Sequence, residues 1–342
     1  MFDPSLFRSS VLSATIATAM LCGLTEPSHA AEMPEHAQDR IPLTFTIGNQ
    51  AGTGEARPNY VTSDGTATHT TTAGTPVFGV NHDGVADLII SRPGGNARCT
   101  GSLLSDGQTL LTAAHCLTDN NGDPVASSVS ATWELASGDV IQSSADVTIH
   151  PMYNGDLTDG YDIAIVQFDT KINADVPRYD IYRKTNEGEI GVETVKVGYG
   201  RSGFGNTGST TASGTKRFGK NKYEDDGLGT GGTGISNVGG ITNSDTQLTY
   251  DFDSNFRNLD NLSGNDSDHD AFQFFFNRPE DLGYGDDEVG AAPGDSGGPS
   301  FIFDDGQWLI AGVTSYGFRL EFTNGTSSDV NGSTDSSWGE FA

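Results

Sequence analysis

The sequence is short of cysteine, of positive charge and of long apolar runs, and each shortage narrows what it can be. Three cysteines in 342 residues cannot build a disulfide scaffold, and they lack zinc-finger spacing. Lys and Arg total 18 against 46 Asp and Glu, a formal net charge of −28. A chain this acidic repels phosphate, so nucleic acid is a poor partner and an anionic membrane surface is disfavoured. No apolar run reaches the ~18 to 20 residues of a membrane-spanning helix. Long amphipathic helical patterns are missing while glycine reaches 45 residues, which argues against helical bundles and coiled coils.

What is there begins with an address. Residues 1–30 read as a secretory signal peptide: Arg8 supplies the positive start, Val11 to Leu24 the apolar stretch, and Ser28-His29-Ala30 the small-residue cleavage pattern. An amphipathic first helix is the other reading of this stretch. Once Cys22 leaves with a signal segment, Cys99 and Cys116 remain. In an oxidising exported compartment that pair is expected to form a disulfide, worth roughly 3 kcal/mol in the chain-entropy account. Residues 31–76 are polar and rich in Thr, Gly and Ala. They read as a flexible propeptide or linker, with too little apolar surface to offset chain entropy.

Further on, short strands alternate with turn signals. Val85 to Ile90 reads as a strand. Ser102 to Leu104 and Thr109 to Thr112 flank Asp106-Gly107. Val129 to Leu135 and Asp139 to Ile149 flank Ser137-Gly138. Tyr161 to Phe168 is a strand expected to bury Ile163, Ile165 and Phe168. Glu193 to Gly198 follows, and Pro299 to Phe303 and Gln307 to Thr314 flank Asp304-Asp305-Gly306. Many short strands mean an all-β sandwich or barrel. Two stretches stand apart: residues 198–240 hold 14 glycines, and residues 245–288 hold 12 acidic and 2 basic residues.

Three motifs carry chemistry, in the order Leu111-Thr112-Ala113-Ala114-His115-Cys116, Asp162-Ile163-Ala164-Ile165 and Gly294-Asp295-Ser296-Gly297-Gly298-Pro299. Each alone has a bland reading, as a structural histidine, a turn aspartate and a glycine loop. A serine hydroxyl needs a base within hydrogen-bond reach to become a nucleophile, and an imidazole titrating near neutrality can take and return that proton. Together the motifs resemble the trypsin-like serine peptidases of the chymotrypsin fold. The resemblance covers about residues 77–342, most weakly from 201 to 285. It implies two six-stranded antiparallel β-barrels, about 77–180 and 190–342, with the active site in the cleft between them. His115 would be the base, Asp162 its orienting partner and Ser296 the nucleophile, with the N–H groups of Gly294 and Ser296 forming the oxyanion hole. Cys99 and Cys116 match the family's disulfide beside the catalytic histidine. Ser315-Tyr316-Gly317 matches the strand that receives substrate backbone. Asp295 matches an aspartate that, in animal members, pairs with an amine freed by activation cleavage.

His115 precedes Asp162 by 47 positions, and Asp162 precedes Ser296 by 134. The family template has about 45 and about 93, so roughly 40 extra residues enlarge the second lobe. Gly198-Tyr199-Gly200 places that insertion at 201–285. The family continues to a C-terminal helix, whereas no helical pattern follows Trp338.

By the same resemblance Gly290 floors the primary specificity pocket, where an Asp would select basic residues. Cleavage after apolar or aromatic residues is therefore expected, unless Asp287 or Glu288 reaches the pocket. No cofactor or metal is expected to be required. Calcium is the candidate ion, at Asp119, Asn121 and Asp123 or in the loop Asp266-Ser267-Asp268-His269-Asp270, though neither is an EF-hand. The expected protein is a monomeric, exported serine endopeptidase acting on proteins or peptides. Its rival is an exported, catalytically inactive binding protein on the same fold.

Overall fold

The computed structural model describes residues 41–47, 50–57, 69–184, 188–204, 208–223, 238–239, 246–250, 284, 287–322 and 339–341. The expected signal segment, most of the acidic stretch and the loop 266–270 lie outside them.

Apolar and polar residues alternate from Val85 onward, and this pattern builds the first barrel. Two strands precede it, β1 (Ile41–Ile47) and β2 (Gln50–Arg57). The barrel comprises β3 (Val85–Arg92), β4 (Gly95–Leu103), β5 (Thr109–Thr112), β6 (Ser128–Trp133), β7 (Val140–Ser144), β8 (Asp146–Ile149) and β9 (Ala164–Gln167). Their order in the sheet is β7-β6-β3-β4-β5-β9-β8. β7 and β8 are one arm interrupted at Ala145, so the two ends of the sheet belong to the same stretch of chain and the sheet closes on itself. That is why seven assigned strands make the expected six-stranded barrel. Its interior holds Leu88, Ile90, Leu103, Leu110, Val129, Trp133, Val166 and Phe168. Each such side chain contributes about 1.5–3 kcal/mol through removal from water.

One strand differs in phase from expectation. In β9 the buried residues are Ala164 and Val166, while Ile163 is 42% exposed. Tyr161 takes a left-handed backbone, φ 61°. The kink before the strand resets which side chains face inward.

The second lobe contains β10 (Glu193–Gly198), β11 (Ser202–Phe204), β12 (Gly208–Thr211), β13 (Arg217–Lys222), β14 (Val238–Gly239), β15 (Thr249–Tyr250), β16 (Pro299–Asp304), β17 (Gln307–Val313), β18 (Tyr316–Phe322) and β19 (Gly339–Phe341). One sheet runs β13-β10-β16-β17 and another β14-β1-β2-β18-β19-β15, with β11 and β12 paired separately. The fold is that of chymotrypsin-like peptidases, nearly all β. The polar lead segment, read as flexible, differs from that reading over residues 41–57: β1 and β2 form a hairpin, and β2 pairs with β18.

The connector between the lobes is pinned to both. Tyr179 donates its N–H to Leu103 O (3.0 Å) in the first lobe, and Tyr182 donates to Ile310 O (2.8 Å) in the second. The Tyr179 ring meets Phe301 edge-on, with centroids 4.7 Å apart.

Candidate active site

β5 and β9 are antiparallel neighbours, with Thr112 opposite Ala164. His115 follows the end of β5 and Asp162 precedes the start of β9, so the pairing brings both to one end of the barrel. Ala113 and Ala114 are fully buried, and their small side chains let the chain turn sharply against the core. The Cys99–Cys116 disulfide ties β4 to the residue after His115.

Ser296 arrives from the second lobe, in the turn before β16. Glycine is required on both sides of it. Gly294 has φ 103° and Gly297 φ 82°, both left-handed. A Cβ at Gly297 would also lie 2.1 Å from Thr112 Oγ1. Thr100, on β4 beside Cys99, locks this turn to the first lobe. Its N–H donates to Ser296 O (2.8 Å), its hydroxyl donates to Gly294 O (2.9 Å), and its Oγ1 accepts from the Tyr199 N–H (3.0 Å). No local sequence signal marks Thr100, because its partners lie on the other lobe.

The three expected residues form one hydrogen-bonded chain. His115 Nε2 is 2.8 Å from Ser296 Oγ, and His115 Nδ1 is 2.6 Å from Asp162 Oδ2. The His115 backbone N–H donates to Asp162 Oδ1 at 2.8 Å, which fixes the carboxylate plane. With Nδ1 protonated, Nε2 is left to accept from the serine hydroxyl. Ser315 also donates its hydroxyl to Asp162 Oδ2. Burial works to raise the Asp162 carboxyl. The His115 charge and the hydrogen bonds from His115 and Ser315 outweigh it, and the group titrates below the usual carboxylate range.

Asp295, next to the serine, is held by backbone. Oδ1 accepts from the Gly200 N–H (2.6 Å) and Oδ2 from the Ala292 N–H (2.8 Å). Burial raises its carboxyl to about 6, against those hydrogen bonds and the charges of Arg217 and Lys196. Gly198 and Gly200 leave the room it occupies: a Cβ at either would stand 2.0 Å or 2.4 Å from its oxygens.

Gly290 lines a cavity with about 450 Å³ of empty space, together with Val289, Ala291, Asp295, Arg217 and Thr314 among others. Neither Asp287 nor Glu288 lines it. Glu288 is buried and accepts from Asn221 Nδ2 (3.0 Å), whereas Asp287 is exposed. Ser315 lies against Asp162. Tyr316 is turned inward, its hydroxyl donating to Gln247 Oε1 (2.9 Å). Gly317 is paired on both edges, with Glu340 of β19 and Arg57 of β2.

Asp119 Oδ1 accepts from the backbone N–H groups of Asn121 (2.9 Å) and Asp123 (3.0 Å), so it braces its own turn. Among the described residues no group of three or more His, Cys, Asp or Glu side chains is placed to hold a metal ion. No helix among them is long and apolar enough to cross a membrane.

A serine, an imidazole and a carboxylate stand in line between two β lobes, the arrangement that a serine hydrolase requires. The family model described as Trypsin matches residues 80–239. That match identifies residues 80–239 as a trypsin-like serine peptidase region, which supports a serine-type endopeptidase. No curated protein matches the chain in sequence. Among solved structures it is similar to HL collagenase, at 18% identity over 80% of this chain and 91% of that one, with a TM-score of 0.49. It is also similar to the thermostable serine protease AL20 from an extremophilic microorganism, at 13% identity over 69% of this chain and 86% of that one, with a TM-score of 0.44.

Proposed function

We propose that this endopeptidase is exported and works through an acyl-enzyme with Ser296 as nucleophile, His115 as general base and acid, and Asp162 as the residue that orients the imidazole. Ser296 Oγ attacks the substrate carbonyl carbon while its proton passes to His115 Nε2. The carbonyl oxygen becomes an oxyanion, held by the N–H groups of Gly294 and Ser296. The C–N bond then breaks, and the amine leaves with the proton from His115. A water molecule repeats the sequence on the acyl-serine: His115 takes its proton, the hydroxyl adds to the carbonyl carbon, and Ser296 Oγ recovers a proton as the acid departs. Asp162 stays ionised throughout and stabilises the imidazolium. The cycle uses protein groups and water alone, on a protein or peptide substrate, in a monomer.

The observation that carries this reading is the continuous chain from Ser296 Oγ through His115 to Asp162. The Cys99–Cys116 bond beside it suits an oxidising, extracellular or periplasmic setting. Gly290 and Ala291 supply no carboxylate for a basic side chain, Glu288 is engaged elsewhere, and Asp295, which also lines the cavity beside Arg217, is taken up by the N–H groups of Gly200 and Ala292. All favour cleavage after apolar or aromatic residues.

A fluorophosphonate probe tests the assignment. Ser296 is expected to be labelled, and Ser296→Ala to abolish both labelling and casein hydrolysis. An unlabelled parent beside a labelled control protease would overturn it in favour of the inactive binding protein. A peptide panel varied only at the residue before the scissile bond tests specificity, and preference for Arg or Lys there would sink that part.

A further inference from the structure

Strand β2 approaches the active centre along β18. Gly52 lies opposite Phe322 and Arg57 opposite Gly317, antiparallel and without a break in register. The C-terminal end of β2 therefore stands nearest Ser315, the residue that donates to Asp162. Gly317 and Ser315 are two residues apart, about 7 Å along an extended strand. The other edge of β18 is taken by β19, from Tyr316 to Phe318.

A peptide substrate has a fixed polarity at such a site. Its residues on the acyl side must run from N to C toward the carbonyl that Ser296 attacks. β2 runs in that sense, antiparallel to β18, on the edge that β19 leaves open. It thus has the position and direction of the acyl half of a substrate, up to the register of Gly317.

We propose that residues 50–57 are an intramolecular occupant of the substrate-backbone edge of β18, which keeps the full chain latent toward extended polypeptides. The proposal rests on the peptidase reading above. The strand reads Gln-Ala-Gly-Thr-Gly-Glu-Ala-Arg, with two glycines and two alanines among its eight residues. Main-chain hydrogen bonds dominate strand addition of this kind, and so small a set of side chains adds little to them. Such an occupant is weak by itself. Tethering raises its local concentration to the millimolar range, and the hairpin pairing with β1 from Ile41↔Ala56 to Ile47↔Gln50 holds it extended before it docks.

The test compares the full chain with the variant Gly54→Pro/Glu55→Pro. Adjacent strand residues direct their N–H groups to opposite neighbours, so this pair removes a donor from the β2–β18 ladder whichever parity applies. For an extended peptide with four or more acyl-side residues, kcat/KM is expected to rise at least tenfold. Hydrolysis of a single-residue ester, which needs no strand edge, and fluorophosphonate labelling are expected to stay as in the parent. Synthetic peptide Gln50–Arg57 at millimolar concentration is expected to inhibit the variant competitively. Equal kcat/KM on the extended peptide, with ester hydrolysis intact in both proteins, would overturn the proposal and leave the peptidase reading standing. Absence of labelling in both would remove the peptidase reading and this proposal with it. Amide hydrogen exchange on the unmodified chain supplies a readout that survives misfolding of the variant. Those amides of Gly317–Phe322 that point to β2 are expected to be as protected as those of β17, and fast exchange of every amide in that span would contradict the occupancy.

Discussion

Ser315 donates its hydroxyl to Asp162 Oδ2, the same oxygen that faces His115 Nδ1. The carboxylate that faces the imidazole is thus itself held from the second lobe. A hydrogen bond to a charged group contributes about 1.5–3 kcal/mol. Ser315→Ala is expected to lower kcat on a small ester by about ten- to a hundredfold, with probe labelling slowed in proportion. An unchanged kcat would show that His115 alone fixes the carboxylate.

Gly198 makes room for Asp295. A methyl group there would lie 2.0 Å from Asp295 Oδ1, so the carboxylate must withdraw from the Gly200 and Ala292 N–H groups. The turn holding Ser296 and Gly294 would then lose its brace. Gly198→Ala is expected to cost on the order of a hundredfold or more in kcat, the scale of a lost oxyanion donor. Stopped-flow kinetics with an active-site titrant separates this from a loss of folded protein.

Asp295 also sets a pH dependence of stability. Its carboxyl is raised from 3.8 to about 6 by burial, so the folded chain binds this proton more tightly than the unfolded one. The stability it contributes is complete below about pH 3.8 and is lost as pH rises through about 6, a change on the order of 3 kcal/mol. Asp162 has the opposite sign, since its depressed carboxyl loses stability as pH falls below its ordinary range. Urea midpoints across this window are expected to fall with rising pH in the parent relative to Asp295→Asn. A constant difference between the two would refute the assignment.

Lys216 is buried, and its Nζ has no hydrogen-bond partner among the described residues. Glu134 Oε2 is 3.9 Å away on a partly exposed side chain, and burial lowers the Lys216 pKa. A buried charge so weakly compensated costs stability. Lys216→Met is expected to raise the unfolding free energy by about 1–3 kcal/mol, read as a higher urea midpoint at unchanged kcat. A lower midpoint would mean that Glu134, the more distant Asp83 and Asp139 charges and the Tyr199 ring 5.5 Å away together outweigh the cost of burial.

The parts legible in the sequence were those with local signatures. The motifs around His115, Asp162 and Ser296 name themselves by residue type, and the turns at Asp106-Gly107 and Asp304-Asp305-Gly306 bound their hairpins within a residue or two. The phase of β9 was not legible. Isoleucine reads as core and alanine as neutral, but the left-handed Tyr161 turns Ile163 outward and Ala164 inward. Nor was the hairpin of β1 and β2: its Thr- and Gly-rich composition lacks apolar alternation, and β2 meets β18 more than 250 positions away in sequence. For Asp295 the resemblance suggests a freed amine as partner. Its partners are the N–H groups of Gly200 and Ala292, and backbone donors leave no trace in residue type.

Thr100 binds the Ser296 turn and Tyr199 through its own backbone and hydroxyl, so Ser296 is positioned by the docking of one lobe on the other. A ribosome completes the first barrel long before Ser296 emerges, and that nascent barrel already holds His115, Asp162 and Thr100 with nothing to activate. Proteolytic competence therefore arises only once the second lobe has been made and docked on the first, which spares the half-made chain.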